Sequence, residues 1–69
     1  MSEFWIEFQG EWESYAFNLF RMFGVEGAEV DGDRVNGYVD ARNARAMRWT
    51  LDTSDRVRAF GIELNEGER

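Results

Sequence analysis

Residues 3–9 alternate between apolar and polar positions. Phe4, Ile6 and Phe8 fall on one side, and Glu3, Trp5, Glu7 and Gln9 on the other. A period of two is the mark of a half-buried β-strand. Gly10 ends the alternation and the period then lengthens. Trp12, Tyr15, Ala16, Leu19, Phe20 and Phe23 follow the spacing that lines one stripe of a helix, which predicts a helix over 11–23. Glu11 and Glu13 stand in its first turn and Arg21 in its last, as the helix dipole favours, and Gly24 is placed to close it. Phe17 and Met22 fall off the stripe.

Residues 27–41 read as a hairpin about Asp31-Gly32, a type I′ turn signal. That turn sets Glu29 opposite Arg34 on one face and Ala28 opposite Val35 on the other. A rival turn at Asn36-Gly37 gathers three acids with Val35 on one face. Residues 43–52 carry two patterns at once. Met47, Trp49 and Leu51 alternate with Arg48, Thr50 and Asp52, as in a strand. Ala44, Met47 and Leu51 also make a helical stripe among good helix formers. The strand buries Trp49 and the helix leaves it opposite the stripe, so a strand is expected.

Asp52, Thr53, Ser54 and Asp55 form a turn cluster. Residues 56–64 then read as a last strand, with Phe60, Ile62 and Leu64 on one face and Gly61 marking a bulge. Residues 65–69 are expected to fray. The expected fold is a single α+β domain over residues 1–69, with one amphipathic helix packed on an antiparallel sheet of four or five strands. A helix at 43–52 would instead give the order βαββαβ, the ferredoxin-like pattern.

Composition narrows the chemistry. Sixty-nine residues hold one small core. Cysteine and histidine are both absent, which removes disulfides, thiolate metal sites and the commonest general base. Stability must come from packing of the three Trp, six Phe and two Tyr, or from self-association, so a homodimer is open. No apolar run approaches the roughly 20 residues that cross a bilayer, and Met1-Ser2-Glu3-Phe4 has no basic leader segment. A soluble, cytoplasmic protein without membrane contact is expected.

No catalytic, cofactor or metal motif emerges. Ser2, Ser14 and Ser54 have no histidine or lysine to activate them. Asp31-Gly32-Asp33 opens like a calcium loop, but Val35, Asn36 and Arg42 occupy its fifth, sixth and twelfth positions. The glycines at 24, 27, 32 and 37 are spread through turns rather than gathered in a phosphate loop. Arg42, Arg45, Arg48, Arg56 and Arg58 would form a basic patch if 42–48 and 56–58 were neighbouring strands. They are expected to pair instead with Asp40, Asp52, Asp55 and Glu63, and direct nucleic-acid binding is not expected.

Charge supplies the functional expectation. Residues 1–33 hold eight carboxylates, Glu3, Glu7, Glu11, Glu13, Glu26, Glu29, Asp31 and Asp33, against Arg21 alone, for a charge of −7. Residues 34–69 carry +1, and the whole chain −6. Acid this dense repels itself and destabilises a compact state, while raising solubility. A rigid array of carboxylates is also able to occupy a basic groove built for phosphates. Trp5, on the polar side of the first strand, and Phe17 would serve as apolar anchors amid the charge.

In size, acidity, lack of cysteine and lack of catalytic residues, the whole chain resembles small phage-encoded inhibitors of bacterial defence, the anti-CRISPR and DNA-mimic proteins. No sequence motif carries that resemblance. It implies a non-enzymatic, stoichiometric inhibitor that binds a CRISPR–Cas effector in the host cytoplasm and blocks access to nucleic acid. The partner-binding residues would be the eight carboxylates and Trp5. One alternative is a structural or oligomer-forming module of phage or bacterial origin. Another is a small carbohydrate-binding or hydrolytic domain using carboxylates and Trp.

Overall fold

The computed structural model describes residues 1–64. The fraying expected at 65–69 falls outside the described residues. The elements are β1 (Ser2–Phe8), α1 (Glu13–Phe23), β2 (Glu26–Asp31), β3 (Arg34–Val39), α2 (Ala41–Asp52) and β4 (Val57–Ile62). The strands form one antiparallel sheet in the order β2-β3-β1-β4. The fold is α+β, and it takes the ferredoxin-like βαββαβ alternative with two helices.

The expected strand at 43–52 is therefore corrected to a helix. The sheet presents Phe4, Ile6, Phe8, Val35 and Val39 on one face, all buried. A single helix of 11 residues covers only part of that surface. Ala44, Met47 and Leu51 of α2 supply the missing cover, each no more than 2 % exposed. Asp40 starts the helix, its carboxylate accepting from the Arg42 N–H at 3.2 Å. Trp49, whose burial favoured the strand, is instead 71 % exposed. A strand would bury Met47 and Leu51 as well, so the difference lies in cover: the helix shields the apolar sheet face that α1 leaves open, at the cost of one exposed indole.

The first helix follows its stripe closely. Trp12, Ala16 and Leu19 are buried, and Tyr15, Phe20 and Phe23 pack against the core at its margin. The helix begins at Glu13, with Trp12 as its N-cap and no side-chain cap. At the far end Gly24 turns left-handed, φ 65°. The Val25 N–H then reaches Phe20 O at 3.0 Å and the Gly24 N–H reaches Arg21 O at 3.4 Å, a Schellman closure. Asn43 Nδ2 donates to Phe23 O at 3.1 Å and ties α2 to that closure.

Two turn details differ from expectation. The hairpin pairs Asp31 with Arg34 and Val30 with Val35, so Gly32 and Asp33 form the turn. Gly32 has φ 66°, and among the described residues only glycines have positive φ. Positive φ at the first turn residue alone matches the type II′ pattern rather than I′. In β4 the irregularity lies between Glu7 and Phe8, opposite Ala59 and Val57, so Arg58 is the extra residue and Gly61 is regular. Among the described residues, no helix is long and apolar enough to cross a membrane.

Candidate functional site

Both helices lie on the apolar face of the sheet, and among the described residues no element covers the other face. Strand alternation and register arrange that open face in three rows. The first runs Asp31, Arg34, Glu7 across β2, β3 and β1. The second runs Glu29, Asn36, Trp5, Gly61 across all four strands. The third runs Glu26, Tyr38, Glu3, and the Glu63 N–H beyond it donates to Glu3 O at 2.9 Å.

The first row is internally neutralised. Arg34 Nη1 lies 3.4 Å from Glu7 Oε2, and Arg58 Nη2 lies 3.7 Å from Glu7 Oε1. These exposed pairs are worth at most about 1 kcal/mol each. Their consequence is positional. The Arg34 guanidinium also lies over the Trp5 ring, 4.6 Å from its centroid, and Arg34 Nε donates to Asn36 Oδ1 at 3.4 Å.

Gly61 completes the Trp5 seat. A Cβ there would meet Trp5 Cε2 at 2.9 Å and Cζ2 at 3.2 Å. The indole thus rests on bare backbone of β4, with an arginine of β3 above it. A shallow trough of about 530 Å³ opens beside it, bordered by Glu3, Trp5, Arg34, Asn36 and Glu63. Gly61→Val is expected to displace the indole and cost about 1–3 kcal/mol, as overpacking does. A urea melt gives the energy, and a red shift of tryptophan emission reports the displacement. A melt and spectrum identical to wild type would contradict this seat.

The second and third rows leave acid in excess. Glu3, Glu26, Glu29 and Glu63 are exposed there. With Glu7 and Asp31, the face carries six carboxylates against Arg34 and Arg58. Glu29 and Asp31 stand two residues of extended strand apart, roughly 7 Å, and Glu26 lies beyond the bulge. Among the described residues, no three Asp or Glu side chains converge as metal ligands do.

Six of the nine expected site residues meet on this face: Glu3, Trp5, Glu7, Glu26, Glu29 and Asp31. The other three do not. Glu11 lies in the loop before α1, and Glu13 in the first turn of α1 on the helical side of the sheet. Asp33 has a structural task, because its Oδ1 accepts from Trp12 Nε1 at 3.0 Å and fastens the hairpin turn to the start of α1. Asp33→Ala is expected to cost about 1 kcal/mol once solvent exposure is discounted, lowering the melting temperature by roughly 4–8 °C. An unchanged thermal melt would contradict that role.

The expected arginine pairing is also corrected. Arg42, Arg45 and Arg48 lie on α2 rather than on a strand, so they neither form a sheet patch with Arg56 and Arg58 nor pair across strands. Arg45 and Arg48 border Trp49 on the outer side of α2, together with Asp52. The molecule is thus acidic on its open sheet face and basic along one helix. Phe17 is exposed on α1, on the opposite side of the sheet from Trp5. Arg34, Arg58, Gly61 and Glu63 belong to the site but were not among the expected residues. Alternation through β3 was the available signal for Arg34, and register alone reveals the other three.

Comparison with protein-family models, with curated proteins and with solved structures gives no match to this chain.

Proposed function

We propose that the protein is a non-catalytic, stoichiometric inhibitor that docks its open sheet face onto the basic surface of a nucleic-acid-binding protein. The observation that carries this reading is the gathering of six carboxylates around a half-buried Trp5 on a sheet face that no described element covers. Fixed charges steer association and set register, and an aromatic at their centre supplies the desolvated anchor. The resemblance to anti-CRISPR proteins gives the proposal its most specific form, a CRISPR–Cas effector in the cytoplasm of a host cell as the target.

The test is capture from bacterial lysate on the immobilised protein, with elution by salt. The expected principal species is a nucleic-acid-binding protein released at moderate ionic strength, because exposed charges are screened over about 10 Å at 0.1 M. Retention of no such protein from a lysate containing an active CRISPR effector would overturn the reading.

The opposed acidic and basic faces favour a second reading, a self-assembling module. The sheet face of one copy would meet α2 of the next, a head-to-tail contact that builds rings or filaments. Sedimentation at low salt separates the two. Growing oligomers support assembly, and a monomer or small dimer supports the inhibitor.

A further inference from the structure

Among the described residues the sheet has two edge strands, β2 and β4, and β2 is the more exposed. Among the described residues β2 pairs only with β3, and all six of its residues are exposed. Its two sides differ in chemistry. Glu26, Glu29 and Asp31 share the open face with their β3 partners Tyr38, Asn36 and Arg34. Val30 pairs with Val35 and so lies on the core side, where it is 64 % exposed.

Helix α1 does not cover this margin. A groove of about 340 Å³ runs between helix and strand, lined by Ala16, Phe17, Phe20, Ala28, Val30 and Val35 among others. Phe17 on its rim is 62 % exposed. An apolar groove on one side of a free edge and three carboxylates on the other specify an occupant. A strand added there sends alternate side chains to opposite sides.

We infer that β2 takes up an extended segment of the partner protein in which basic and apolar residues alternate, adding it to the sheet as a fifth strand. The apolar side chains enter the groove beside Phe17 and Val30, and the basic ones face Glu26, Glu29 and Asp31. A second copy of this chain fits poorly. Two-fold pairing of β2 with itself would bring both sets of three acids onto one face, where like charges on neighbouring strands repel. The bulge between Glu26 and Glu29 confines regular pairing to the end of the strand near the turn. The inference rests on the reading that the partner is a basic protein.

The experiment is a titration of the isotope-labelled protein with a short synthetic peptide of alternating arginine and valine, followed by NMR and amide exchange. A second peptide is the same but N-methylated at alternate residues, prepared in both registers. The expected result is slowed exchange at the β2 amides, shifts of the Phe17 ring and Val30 methyls, and loss of binding on N-methylation. Val30→Arg is expected to weaken binding about tenfold or more. Equal binding of the N-methylated peptides, or no binding of any, would overturn the edge site. Shifts confined to Trp5 and its neighbours would also overturn it, while leaving the open-face reading intact.

Discussion

Phe8→Ala is expected to leave the domain largely unfolded at 25 °C. Phe8 is fully buried, and its ring joins β1 to α1 and the N-cap of α1. Its ring stacks on Trp12 with centroids 4.7 Å apart and planes 8° from parallel. Tyr15 and Phe20 meet its edges at 6.4 and 6.3 Å. Truncating a buried Phe to Ala costs about 3–5 kcal/mol, part transfer and part cavity. A core this small supplies about 3–5 kcal/mol in total. The loss therefore matches the whole stability. Circular dichroism in buffer checks it, with Val30→Ala as a control that should fold, since Val30 is 64 % exposed. A Phe8→Ala domain melting within about 0.5 kcal/mol of wild type would show that this cluster is not the core's centre.

The second large effect concerns binding. Reversing Glu3, Glu26 and Glu29 to Arg together changes the charge of the open face by six units, without touching a buried atom. Glu7 and Asp31 are left in place because their row is already balanced by Arg34 and Arg58. Affinity for the captured protein is expected to fall at least about a hundredfold, with loss of its salt dependence. Stability should stay level or rise slightly as like charges are removed. Reversal of Glu11 and Glu13, a change of four units placed off that face, is the control, and it should retain binding within about threefold. Equal losses in both variants would mean that net charge matters and the face does not.

The strand β1, the stripe of α1 with its glycine closure, and the α+β class were legible because each rests on local periodicity. The wall between local and global was Trp49. Its burial is a local preference for a strand, whereas the need to cover the sheet beside β4 is global, and α2 obeys the second. The hairpin shows a smaller version of the same limit. Both Asp31-Gly32 and Gly32-Asp33 satisfy a two-residue turn, and the backbone of Gly32 selects the latter. At the candidate site, alternation foretold Glu3, Trp5 and Glu7 on one side. Their assembly with Glu26 and Glu29 required the strand order, because α1 separates β1 from β2 in sequence and β3 lies between them in the sheet. Asp33 looked like one more acid, and only the approach of Trp12 shows it to be a fastening.

On the proposed reading, the open face occupies a groove built for nucleic acid. That reading is tested most directly by adding excess duplex DNA to the complex of this protein with its captured partner and measuring displacement. DNA is expected to release the partner competitively, with the apparent affinity falling in proportion to DNA concentration. A partner held equally tightly in excess DNA would contradict it, and would place the contact away from the phosphate-binding surface.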